Sequence, residues 1–355
     1  MAYTDIDDPS AYFQTSIYTG DGAGSLAITN TGNSDLQPDW LWIKRRDGAV
    51  NHLLHDSVRG VTNLLVSNAQ AGDDSNSNIV LGFDSDGFRV GANSASNGNN
   101  QTFVAWQWKT GTAFTNDASS TGVGSIDSAG SVNTDAGFSI VSWNGNDGTI
   151  AHGLGVKPAM IIIKSRQTSN NWVVFHKGLG TMSAASNSIL ILNGDAAKDD
   201  PGAGFAEPTT SVFTIKGGAA SNDNNIAYCF ADVKGYSKFG SYSGDGASDD
   251  GPFIYLGFKP AFVMLKNADA GSTDWYMYDN KRGGPVAGVY GNNNKYFLRA
   301  NLNNAEGNES IHLFSNGFQI RISNAFLNGS GNNLVYMAFA ENPFVTSTGI
   351  PATAR

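Results

Sequence analysis

The sequence predicts an all-β protein made of three tandem β-sandwich or jelly-roll domains, and three observations carry that expectation. Across 355 residues there are 43 Gly but only 10 Pro, and Asn, Ser and Thr crowd between short apolar runs. Gly and Asn tolerate the positive φ of tight turns, so this composition describes many strands joined by many turns. Second, one pattern recurs three times with its parts in the same order, as a duplicated fold requires. Third, the apolar runs alternate with the period of a strand. In "DWLWIK" (39–44), Trp40 and Trp42 fall on one face and Leu41 and Ile43 on the other, so both faces are apolar and the strand is central. "FVAWQWK" (103–109) repeats this with Trp106 and Trp108.

Each unit opens on an aromatic residue and a Gly-rich, hairpin-type turn: "IYTGDG" (17–22), "SWNGNDG" (142–148) and "SYSGDG" (241–246). A Pro-anchored apolar run ending in lysine follows, in "DLQPDWLWIKRR" (35–46), "GVKPAMIIIKSR" (155–166) and "LGFKPAFVMLKN" (256–267). Lys44, Lys164 and Lys266 are expected where that strand reaches solvent. A second apolar segment comes next: "NHLLHDSVRG" (51–60), "NWVVFHKGLG" (171–180) and "DWYMYDNKRG" (274–283). "SDGFRV" (85–90) matches "SNGFQI" (315–320), whereas the middle unit answers with the diverged "SVFTIK" (211–216). Paired Asn and a closing strand end each unit, in "GNNQTFVAWQW" (98–108), "DNNIAYCFA" (223–231) and "GNNLVYMAFA" (331–340).

These landmarks divide the chain into a first sandwich at 1–110, a second at 137–236 and a third at 237–345, each of roughly 100 residues, the size of a two-sheet sandwich. Residues 111–136, rich in Gly, Ser and Thr, are expected as a linker or as extended arms. Val123, Ile126 and Val132 recur there among polar residues, which suits arms. Residues 346–355 read as a C-terminal tail.

Composition also excludes functions. A net charge of −9 with 22 Lys plus Arg provides no basic stripe for phosphates, so nucleic acid is not an expected partner. Cys229, the single cysteine, rules out an internal disulfide and reads as a small core residue. The start "MAYTDIDDPSAYF" resembles neither a secretion signal nor a membrane anchor, so membrane insertion is not expected and an external role implies release by lysis. His52 and His55 sit three apart, on opposite faces of a strand, and His152, His176 and His312 are isolated; no metal site is expected. "DSDG" (84–87) lacks the spacing of a calcium loop and reads as a turn, leaving structural calcium only to scattered loop aspartates. The only glutamates are Glu207, Glu306, Glu309 and Glu341, without the paired spacing of a sandwich glycosidase, and no nucleophile signature has recognisable context. No cofactor and no enzymatic activity are therefore expected.

In "VNTDAGFSIVSWNGNDGTIAHGLGVKPAMIIIKSR", in "GYSKFGSYSGDG…GPFIYLGFKPAFVMLKN…YMAFAENPF" and in "HDSVRGVTNLLVSN" with "FDSDGFRVG", the chain resembles a family of repeat domains found in virion proteins of tailed bacteriophages, mainly marine ones. The resemblance spans nearly the whole chain. It implies concanavalin-like or jelly-roll sandwiches in a tail fibre or another exposed particle component, and it carries over no catalytic residue. The expectation is a tail-associated structural protein at the particle surface, assembled in the host cytoplasm, bound to other virion proteins, trimeric, and recognising a host-surface glycan. A capsid decoration protein is the alternative and a polysaccharide depolymerase the second. The sequence contains no coiled-coil or collagen-like shaft such as many fibres use for attachment, which keeps a short spike, a head decoration or a tail-sheathing part alongside a fibre as expectations.

Aligning the second apolar segments places His52, Trp172 and Trp275 at one position, then His55, Phe175 and Tyr278, then Asp56, His176 and Asp279. Aromatics beside an aspartate can stack on and hydrogen-bond a sugar, which makes Trp172, Trp275, Tyr278 and Asp279 the candidate ligand site. The competing reading is a core face that these rings fill. Units one and three share Asp-x-x-Arg-Gly, so Asp56 with Arg59 and Asp279 with Arg282 are expected as ion pairs that fix a turn or meet a neighbouring subunit.

Overall fold

Three antiparallel sheets carry the same strand order in a computed structural model that describes residues 3–180, 188–199, 206–216, 220, 224–283 and 292–352. In the first, Phe13–Thr19 pairs with Thr102–Trp108, which pairs with Trp40–Arg45 and then Leu53–Asp56. In the second, the same succession is Phe138–Asn144, Asn224–Phe230, Met160–Ser165 and Val173–His176. In the third it is Ser237–Ser243, Asn333–Pro343, Phe258–Asn267 and Trp275–Asp279. In every unit the first strand thus lies against the last, and the last against the lysine-ended run. That closure ties residues some ninety positions apart, as in Phe13 opposite Trp108 and Phe138 opposite Phe230.

The lysine-ended strands Trp40–Arg45, Met160–Ser165 and Phe258–Asn267 are buried on both faces, which is why they read as continuous apolar runs. One face of each sheet enters a single shared core: Trp40, Trp42, Trp106 and Trp108 from the first, Met160, Ile162, Trp172 and Tyr228 from the second, and Phe262, Met264, Trp275 and Phe339 from the third. The opposite faces form three separate cores, such as Leu41, Ile43, Phe103 and Ala105 beneath the small sheet of Leu26–Thr29, Val80–Asp84 and Gly87–Val90. Rings meet across all three seams: Trp40 stacks on Tyr228 at 4.4 Å, Phe13 on Phe339 at 5.2 Å, and Phe230 lies 5.9 Å from Phe239. Burying one such side chain is worth roughly 1.5–3 kcal/mol, so the shared core is the largest stabilising element of the fold. Ile6, 5% exposed, joins this core, while Thr4 and Asp5 bond the Lys234 carbonyl.

Several expectations change. The segment expected as a linker or as extended arms forms the strands Thr112–Asn116 and Ser128–Asn133, which extend the second sheet beyond Phe138–Asn144, so it is no loose linker. Its glycines misled the sequence reading: Gly130 lies within a strand, at a position that must be glycine because any Cβ there would meet the Ile140 carbonyl oxygen at 1.9 Å. Of the expected tail, Pro351 bridges back to Val345 and Ser347 bonds Asp7. "DSDG" is the tight turn between Val80–Asp84 and Gly87–Val90, with Gly87 at φ 110°.

The repeated lysines are the clearest correction, because none reaches solvent: Lys44, Lys164 and Lys266 are all fully buried. Each ammonium instead holds carbonyls of the turn that follows it. Lys44 Nζ donates to Arg45 (2.6 Å) and Gly48 (3.2 Å), Lys164 to Ser165 (2.9 Å) and Thr168 (3.3 Å), and Lys266 to Thr273 (2.7 Å). Two also cross a seam, Lys164 to the Gln70 carbonyl of unit one (2.8 Å) and Lys266 to the Asp195 carbonyl of unit two (3.3 Å). Burial pushes all three down to about 8, so they remain cationic at neutral pH and their donors stay available.

Candidate functional site

The residues singled out as a ligand site lie inside the protein. Trp172 and Tyr278 are 0% exposed, Trp275 2% and Asp279 0%, so none can stack on or bond an external sugar, and the core reading of that strand face holds instead. Their polar atoms join units together. Trp172 Nε1 donates to the Val66 carbonyl of unit one and Trp275 Nε1 to the Ile191 carbonyl of unit two, each at 2.9 Å. His52, the counterpart in unit one, accepts at Nδ1 from Trp42 Nε1 (2.8 Å).

Asp56 and Asp279 serve two units each. Asp56 Oδ2 accepts from Arg59 Nε (2.5 Å) within unit one and from the Tyr228 hydroxyl (2.7 Å) of unit two, while Oδ1 takes the Arg59 backbone N–H (2.8 Å). Asp279 repeats this one unit on, with Arg282 Nε at 2.5 Å, its backbone N–H at 2.9 Å, and Trp106 Nε1 of unit one at 3.0 Å. Burial pushes the Tyr228 phenol well up, which keeps it a donor, and Asp56 helps hold Arg59 above its ordinary value. The third seam departs from this pattern coherently. Met337 occupies the repeat position of Trp106 and Tyr228 and has no donor, and the acceptor has become His176, which caps its own turn through Gly178 N–H to Nδ1 (3.0 Å) and bonds the Tyr336 carbonyl through Nε2 (3.0 Å). Loss of the donor and loss of the carboxylate therefore go together.

Accessible chemistry lies where units two and three meet beside the N-terminal segment. A cleft of about 530 Å³ is flanked by Tyr3, 62% exposed, and Tyr255, 55% exposed, with Asp5, Asp232, Lys177, Lys234 and Lys238 around it. Tyr255 lies on the strand Phe253–Tyr255, whose alternation turns Ile254 inward and both aromatics outward. Lys238 Nζ fixes this strand through the Tyr255 carbonyl (2.7 Å) and sits 5.4 Å from its ring centre. Asp232 pairs with Lys177 and accepts the Phe239 N–H (2.9 Å). The result is two exposed rings around a polar, lysine-rich floor, an arrangement that can stack on a sugar ring and bond its hydroxyl or carboxylate groups. The alternation in "FIY" was the one signal in the sequence that pointed here; Tyr3 and Asp232 are joined to it only by the fold.

Fold and cleft together define an all-β protein in which three like units share one core and leave an open, polar cleft at a seam. Its residues 8–343 match the model of a domain of unknown function, DUF7483, and the chain belongs to that family. No curated protein and no solved structure matches it.

Proposed function

We propose that the protein is an exposed structural component of a bacteriophage virion, a tail-associated part of fibre or spike type that recognises a host-surface glycan without turning it over. Each unit is read as a jelly-roll or concanavalin-like sandwich, and other virion proteins are its partners at the particle surface. The observation that carries the glycan reading is the cleft between Tyr3 and Tyr255. Three lysines against two aspartates make it locally positive on a chain of net charge −9, which favours acidic sugars. The glutamates support binding over hydrolysis: Glu306 is held by Arg46 and Arg282, Glu309 by Asn324, Glu341 by Lys259 and Glu207 by Lys157. Glycosidases work through a pair of Asp or Glu residues flanking the bond they cleave, and none of the four glutamates lines this cleft.

Two measurements test this reading. Cryo-electron microscopy of intact particles is expected to place a few copies at the tail; hundreds over the head would replace adhesion with capsid decoration. On an array of neutral and uronate- or sialate-containing glycans, the acidic class is expected to bind. Tyr255→Ala is expected to weaken that binding about tenfold, the equivalent of roughly 1.4 kcal/mol. Unchanged binding by Tyr255→Ala would remove the cleft from the account.

A further inference from the structure

The repeat supplies its own comparison for the aromatic strand beside the cleft. In each unit a short strand sets one isoleucine against a phenylalanine: Ile28 opposite Phe88, Ile150 opposite Phe213 and Ile254 opposite Phe318. All three isoleucines are buried, so the fold fixes that position. The residues on either side point to the other face. They are Ala27 and Thr29 in unit one, Thr149 and Ala151 in unit two, and Phe253 and Tyr255 in unit three. The same strand thus forms twice with small side chains on that face. Packing does not call for the two rings of unit three, which stand 47% and 55% exposed.

A third ring joins them. Phe314 lies 5.7 Å from Phe253, edge to face, and occupies the repeat position at which unit one has Asp84, paired there with Arg89. Gln319 stands in place of that arginine, and its amide donates to Asp250 and to the Gly251 carbonyl, each at 3.1 Å. Arg321, two residues on, falls on the same face. The ion-paired surface of unit one has become an aromatic row bordered by hydrogen-bonding groups. Tyr255 belongs both to this row and to the cleft, so the two form one continuous surface. Its two strand rings are two residues apart, about 7 Å, which is more than a single sugar ring covers. We propose that the row extends the cleft: the ligand is an acidic polysaccharide chain rather than a terminal sugar, with its charged unit among Lys177, Lys234 and Lys238 and its following sugars stacked on Tyr255, Phe253 and Phe314. Arg321 against Asp250 leaves the row near neutral, so the row reads length and the lysines read charge. The inference rests on the glycan reading of the cleft and names the form of its ligand.

The test is calorimetric titration of the whole protein with dimers and hexamers of galacturonic, mannuronic and sialic acid. At least one hexamer is expected to bind about tenfold tighter than its dimer, or more, because the row holds sugars already tethered to the cleft. Phe253→Thr gives the strand the threonine that unit two carries there as Thr149, so it is expected to melt as wild type does. It is expected to lose the hexamer's gain and to keep the dimer's affinity, whereas Tyr255→Ala is expected to weaken both lengths. Equal affinity for dimer and hexamer, or a gain that survives Phe253→Thr, would overturn the extension and leave the cleft as a site for a terminal sugar. Absence of binding at either length would overturn the cleft reading and the extension with it. A ligand-free wild type that sediments as a dimer, with Phe253→Thr monomeric, would assign the row to a second copy and overturn the proposal.

Discussion

Replacing Asp279 with alanine is expected to destabilise the whole protein by about 3–5 kcal/mol, because it strands the buried Arg282 guanidinium and removes the acceptor of Trp106. Asp56→Ala is expected to act alike through Arg59 and Tyr228. The bond between units can be separated from the one within by a double-mutant cycle in urea. Trp106→Phe removes the cross-unit donor alone, Asp279→Asn neutralises the acceptor, and a coupling of roughly 0.5–3 kcal/mol is expected between residues on different units. Simple additivity would mean that the contact carries no energy. Unit two supplies a control: His176→Asp places a carboxylate where Leu179 replaces the arginine and Met337 the donor, so it is expected to destabilise, and adding Leu179→Arg and Met337→Trp to restore what was lost.

Acid is expected to unfold the protein between pH 6.5 and 4. Burial pushes His55, His152 and His176 down to about 4, and His52 well below its ordinary value. Hydrogen bonding requires the same neutral state: Nδ1 of His52, His152 and His176 each accepts an N–H, from Trp42, Leu154 and Gly178, and protonation would turn that acceptor into a donor facing a donor. Because the folded pKa values lie below the ordinary 6.5, the unfolded chain takes up protons first as pH falls. Stability is therefore full above pH 6.5 and drains toward pH 4, by on the order of 3 kcal/mol for each histidine with a value near 4. The sum is comparable to the 5–15 kcal/mol that holds a typical domain together. Tryptophan fluorescence reads the shared core directly, since Trp40, Trp42, Trp106, Trp108, Trp172 and Trp275 all lie in it. His152→Gln is expected to make the transition shallower. A native spectrum retained at pH 4 would refute this account of the histidines.

Strand identity was legible in the sequence because period-2 alternation is a local property. Trp40 and Trp42 on one face and Leu41 and Ile43 on the other are found as read, in two different cores. The destination of the tryptophan face was not legible, since nothing near Trp172 or Trp275 encodes that another unit covers it. For the same reason an aromatic beside an acid looked like a sugar site when it was a seam. The lysines failed through a sound prior, that lysine seldom lies fully buried. Their recurrence at one place in all three units was a signal of a fixed structural task, and the carbonyl cage explains it. In 111–136 the spacing of Ile126 and Val132 was the better guide than the glycines, since both side chains pack against the second unit's core.

The central claim is that three repeats make one folding unit through a common core. Equilibrium urea unfolding tests it most directly, followed in parallel by tryptophan fluorescence, which reports the shared core, and by far-ultraviolet circular dichroism, which reports all the strands. A single transition with coincident midpoints is the expected result. Loss of tryptophan signal at one urea concentration, with most of the β-sheet signal surviving to a higher one, would show that the units stand independently and contradict it.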